Sequence, residues 1–140
     1  MQDWSIILVK NNHGNPFQRV YWWIIRKATG AGYNHCQLVR QFNGTLWICE
    51  SDVSGFRVTK TLDKWKAEQA TLKREYLVVD MGGYSESRFN EILGNQYDAK
   101  YWTYITKRYS PMDSSNCFQT IAYIFGLPKY WIATANTFLV

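Results

Sequence analysis

The dipeptide Asn43-Gly44, set between two β-rich runs, constrains this chain more than any other feature. A two-residue hairpin turn of the favoured type needs positive φ at both central positions, which Asn-Gly supplies, and so short a turn dictates the register of the flanking strands. Phe42 then faces Thr45, Val39 faces Ile48, Gln37 faces Glu50 and His35 faces Asp52. Side chains alternate faces along a strand, so His35, Gln37, Glu50 and Asp52 share one side, with His35 and Glu50 diagonal neighbours about 7–8 Å apart at the backbone. Leu46 and Ile48 lie on that same side, where an unpartnered carboxylate is costly. Glu50 is therefore either paired, with His35 its nearest basic neighbour, or an edge residue turned to solvent. Asp52 is the second carboxylate in reach.

The hairpin sits in a chain without internal repeats, low-complexity tracts or linkers. At 140 residues it is read as one domain, 1–140, able to bury about two-thirds of its unfolded surface without covalent staples. Strands are expected at Trp4–Val9, Cys36–Phe42, Thr45–Ser51, Phe56–Lys60 and Glu75–Val79, with helices at Leu62–Leu72 and Ser85–Leu93. A further helix starts at Asn15-Pro16, a cap followed by an N1 proline, and runs to Gly30 with Phe17, Val20, Tyr21, Ile24, Ile25 and Ala28 at helical spacing. Asp98–Thr106 reads as helix or as extended chain. The fold class is α+β, with an antiparallel or mixed sheet.

A second chemistry-bearing segment lies far downstream, in SSNCFQTIAYIFG (Ser114 to Gly126). Ser114, Ser115 and Asn116 all suit an N-cap, which puts Cys117 in the first turn of a helix that is apolar nearly all round and therefore central and buried. A helix N-terminus lowers a thiol pKa, its first-turn N–H groups lack intrahelical acceptors, and a nearby imidazole accepts the thiol proton. Cys117 is thus a candidate nucleophile with His35 as its base and a carboxylate as the third member. The plainer alternative is a small core residue, since free cysteine is among the most buried residue types.

Taken in order, IIRKATGAGYNHCQLV, WICES, GNQYDAKYW and NCFQT resemble the circularly permuted branch of the NlpC/P60 papain-like cysteine hydrolases, over about Pro16 to Phe125. In that branch the histidine strand precedes the nucleophile helix. The resemblance implies a permuted papain-like fold with its sheet packed on the helix of Cys117. It implies Cys117 as nucleophile, His35 as general base and acid, and Glu50 as the residue that orients His35. Tyr97, in the context Gly94-x-x-Tyr97, matches a tyrosine that contributes to the oxyanion region in these enzymes, and is otherwise a packed core aromatic. The implied substrate is an amide in peptidoglycan stem peptides. Asn116 stands where Asp is frequent and Phe118 where Ser is frequent. The Asn-Cys pair is similar to lecithin:retinol acyltransferase-like relatives, which implies an acyltransferase or a lipid or thioester hydrolase as the alternative. A third reading, from a different class, is a catalytically idle basic binding module.

Composition narrows the remaining classes. The three cysteines, Cys36, Cys49 and Cys117, include no close-spaced pair, which argues against a disulfide framework and fits a reducing compartment. A zinc site from them and His35 is disfavoured, because no ligand pair has the short C-x-x-C spacing and adjacent strand residues point to opposite faces. The chemistry requires no cofactor. Trp4 to Val9 is too short for a membrane span or a signal h-region and lacks a basic leader. Synthesis in the cytoplasm without a signal peptide is expected, and a wall hydrolase would then leave by lysis or within a virion, as a phage-encoded protein does. The net charge of +5 favours anionic partners, among them wall polymers and membrane surfaces, without a specific nucleic-acid motif. The sequence specifies no oligomeric state. Trp22 and Trp23 fall mainly on the polar side of the first helix, and exposed together they would mark a contact surface.

Overall fold

The computed structural model of the chain describes residues 4–10, 16–29, 32–52, 54–94, 96–97, 114–115, 117–130 and 133–139. Strands β1 (Trp4–Val9), β2 (His35–Phe42), β3 (Thr45–Asp52), β4 (Gly55–Thr61) and β5 (Tyr76–Val79) form a sheet in the order β4-β3-β2-β1-β5. Every pairing in it is antiparallel. Asn43 and Gly44 join β2 to β3 with φ of 49° and 79°, the positive values that a type I′ turn needs. The pairs Phe42↔Thr45, Val39↔Ile48 and Leu38↔Cys49 follow the register which that turn dictates. A separate two-residue parallel pairing joins β6 (Gln96–Tyr97) to β7 (Ser114–Ser115).

Four α-helices are seen among the described residues: α1 (Pro16–Thr29), α2 (Leu62–Leu72), α3 (Glu86–Ile92) and α4 (Cys117–Ile124), followed by a 3-10 turn at Ala135–Phe138. Capping explains where they start. The Thr61 hydroxyl accepts from Lys64 N–H at 3.3 Å to open α2, and Ser85 accepts from Arg88 N–H at 3.2 Å to open α3. Helix α4 ends in a Schellman arrangement, with Leu127 N–H donating to Ala122 C=O, Gly126 N–H donating to Tyr123 C=O, and Gly126 at φ 66°. Ser114 and Ser115, which had the composition of caps, lie in β7 instead. The expected caps Asn15, Gly30 and Asn116, the segment 98–106, and the side chains of Tyr97 and Trp22 lie outside the described residues.

The two faces of the sheet bury different clusters. Ile6, Leu8, Cys36, Leu38, Cys49 and Phe56 face α3 and α4, where they meet Phe89, Ile92, Phe118 and Ile121. Ile7, Val9, Val39 and Ile48 face α2, where they meet Leu62 and Trp65. The unbroken apolar run Ile6 to Val9 follows from this, since a strand covered on both sides has no solvent face to keep polar. Trp65 also meets the Tyr76 ring edge-on at 4.9 Å. Helical spacing in α1 does form a helix, yet the described members of its stripe are not buried: Phe17 is 86% exposed, Val20 56% and Ile24 47%, and Trp23, outside the stripe, is 53% exposed. Among the described residues no helix is long and apolar enough to cross a membrane.

Candidate active site

His35 is the first residue of β2 and lies opposite Val9 at the end of β1. Cys117 is the first residue of α4, and the pairing of Tyr97 with Ser115 places β6 beside the chain that leads into it. These two starting points, from segments far apart in sequence, come together: the His35 ring is hydrogen-bonded to the Cys117 thiol. Its Nε2 is 3.3 Å from Glu50 Oε2, which leaves Nδ1 as the other ring nitrogen. Gln37 donates from Nε2 to the same Glu50 oxygen at 2.5 Å. Asp52 is engaged elsewhere, accepting from Ser54 N–H at 2.8 Å and from Arg57 Nη2 at 2.9 Å. Of the two carboxylates in reach, Glu50 is the one at the imidazole.

Helix α4 does not lie on the face that carries His35, Gln37 and Glu50. By strand alternation those residues share a side with Val39 and Ile48, whereas Cys117 packs with Cys36, Leu38 and Cys49 on the other. The His35 ring therefore meets Cys117 at the end of the sheet, where β2 begins. One consequence is that Cys36, on the α4 side, points its thiol at Cys117 while its backbone N–H also bonds to that sulfur. Both cysteines are buried, at 0% and 2% exposure.

Burial opposes charge on every member of this group, and the contacts overcome it. For His35, burial lowers the pKa, but the Cys117 sulfur and then Glu50 raise it to about 10 from the ordinary 6.5. For Cys117, burial raises the thiol, but the Cys36 hydrogen bonds and His35 together hold it well below the usual thiol range. For Glu50, burial again raises the value, while the His35 contact, the Gln37 donor and Lys60 bring it down to about 2. Burial pushes Cys36 well above the usual range and Cys49 up to about 12. These shifts favour a thiolate–imidazolium pair with a carboxylate behind it, and they favour the neutral thiol at Cys36 and Cys49.

Cys36 and Gln37 are the members to which sequence reasoning gave no role. The hairpin register carried a signal for Gln37, because it sets that residue directly across from Glu50. Cys36 had none, since alternation separates it from His35 without saying which face a distant helix covers. Tyr97 is placed by its backbone in β6. Among the described residues no group of three or more His, Cys, Asp or Glu is arranged to hold a metal ion. Comparisons with protein-family models, with curated proteins and with solved structures find no match for this chain.

Proposed function

We propose that this chain is a thiol-dependent hydrolase with a permuted papain-like fold, cleaving an acyl bond through Cys117, His35 and Glu50. The observation that carries the reading is a His35 ring in contact with both the Glu50 carboxylate and the Cys117 sulfur, whose pKa these contacts and Cys36 hold well below the usual thiol range. In the first half-reaction the Cys117 thiolate attacks the acyl carbonyl carbon, and backbone N–H groups at the start of α4 receive the oxyanion. The tetrahedral species collapses, the C–N bond breaks, and the His35 imidazolium gives its proton to the departing amine. His35, now neutral, takes a proton from water, and the resulting hydroxide attacks the thioester. The tetrahedral species expels the Cys117 thiolate, the carboxylic acid leaves and gives its proton to solvent, and the thiolate–imidazolium pair is restored. Glu50 keeps the imidazole oriented throughout and favours its charged form. Tyr97 is proposed to contribute to the oxyanion region, on the family resemblance.

Amides of peptidoglycan stem peptides are the proposed substrate, on the resemblance in NHCQLV, WICES and NCFQT and on the +5 charge that suits anionic wall polymers. Acyl esters and thioesters of lipids form a second reading, favoured by the apolar residues that α1 exposes. Incubation of the chain with purified sacculi, followed by assay for new free amines, tests the first. Release is expected from the wild type and not from Cys117→Ala. Turnover of a thioester or lipid ester without amine release selects the second reading, and inactivity on every acyl substrate overturns both in favour of a binding module.

A further inference from the structure

Helix α1 presents a surface that takes no part in the chemistry proposed at Cys117. Its 14 residues, PFQRVYWWIIRKAT, include Arg19, Arg26 and Lys27 and no acidic residue. At 100° per residue, Trp23, Lys27, Val20, Ile24 and Phe17 fall in one arc of about 120°. All five are exposed, and Arg19, exposed as well, borders the arc beside Trp23. Lys27 Nζ sits 5.8 Å from the centre of the Trp23 ring. Large apolar side chains at i, i+3 and i+7 ordinarily mark a buried stripe, so four of them in solvent together mark a contact surface.

We propose that α1 docks in the plane of an anionic lipid bilayer, with Phe17, Val20, Trp23 and Ile24 in the boundary between headgroups and acyl chains and with Arg19 and Lys27 on lipid phosphates. Length excludes spanning, because 14 residues make a helix of about 21 Å against about 30 Å of hydrocarbon. Charge selects the lipid class: a helix with cations and no acids is complementary to an anionic surface. A soluble polyanion would satisfy the cations and leave the apolar arc in water. A second copy of the chain would set Arg19 and Lys27 of one α1 against those of the other, with no acid on either helix to pair them. The inference is independent of the chemistry at Cys117. It bears on substrate, since a docked α1 holds the chain at a surface rich in acyl esters.

Co-sedimentation of the full chain with vesicles tests it, comparing phosphatidylcholine alone with phosphatidylcholine mixed with phosphatidylglycerol. Binding is expected to the mixed vesicles and to weaken as salt rises. Ile24→Ser should lower it on the order of tenfold by removing a large buried side chain from the interface. Lys27→Glu should lower it roughly thirtyfold at low salt, as a reversal of one interfacial charge. Both positions are exposed, so far-UV circular dichroism should match the wild type. Absent binding, or equal and salt-independent binding to both vesicles, overturns the proposal. So does binding to a soluble polyanion that Ile24→Ser leaves unchanged, or a dimer in sedimentation equilibrium that Ile24→Ser dissociates.

Discussion

Replacing Glu50 with Gln removes one charge while keeping the shape of the side chain, and so isolates what the carboxylate does to His35. Oε2 lies 3.3 Å from Nε2. Unit charges at that separation attract by about 5 kcal/mol at an effective dielectric of 20. Both side chains keep some exposure, 14% and 15%, and water at that edge reduces the figure. Opposite charges this close move a pKa by about one to three pH units, or about 1.4–4 kcal/mol. The His35 titration midpoint, raised to about 10 in the wild type, is therefore expected at about 7–9 in Glu50→Gln. Imidazole resonances followed by nuclear magnetic resonance across pH read this directly, with His13→Gln separating the two histidines. Cys117→Ala should lower the midpoint further than Glu50→Gln, because the sulfur is the larger of the two raising influences. A wild-type midpoint near 6.5 would refute the ion pair, and an unchanged midpoint in Glu50→Gln would refute the role of the carboxylate. Stability follows with opposite signs at the two ends of the pH range. The raised His35 stabilises fully below about pH 6.5 and loses that contribution as pH climbs through about 10. The lowered Glu50 stabilises above about pH 4.5 and loses its contribution as pH falls toward about 2. The pair's combined contribution is greatest between about pH 4.5 and 6.5.

Iodoacetamide at neutral pH should label Cys117 before Cys36 and Cys49, as read by mass-spectrometric mapping, and Cys36→Ala should slow that labelling by removing a hydrogen bond to the thiolate. Gln37→Leu takes away the 2.5 Å donor to Glu50, but the Gln37 Oε1 that goes with it is buried without a partner. The net cost should be about 1–2 kcal/mol in urea unfolding at pH 7, and the acid limb of stability should move to higher pH. Trp65→Ala empties the centre of the α2-side cluster, and should cost about 3–5 kcal/mol by the same measurement.

Local signals located most of the elements. Asn43-Gly44 determined the β2–β3 register by its need for positive φ, and that register already brought Glu50 within reach of His35. Helical stretches at Leu62–Leu72 and Ser85–Leu93 were legible from spacing, and the structure adds that Thr61 and Ser85 cap them, while Gly126 ends α4, since capping and termination depend on a few adjacent residues. Side-chain composition before Cys117 offered Ser114, Ser115 and Asn116 as caps without choosing among them, and the pairing of β7 with β6, a longer-range interaction, takes Ser114 and Ser115 into a strand. Nor did helical periodicity in α1 reveal whether Phe17, Val20 and Ile24 would find a partner, because periodicity reports which residues share a stripe and not what covers it. The same limit applies at the site itself. Alternation along β2 separates His35 from Cys36 by sequence alone, but which of the two faces receives α4 depends on how Phe118 and Ile121 pack against Leu38, Phe56 and Phe89. Only that packing, a contact between residues distant in the chain, carried Cys117 to the end of the sheet, where Cys36 from one face and His35 from the other both reach its sulfur.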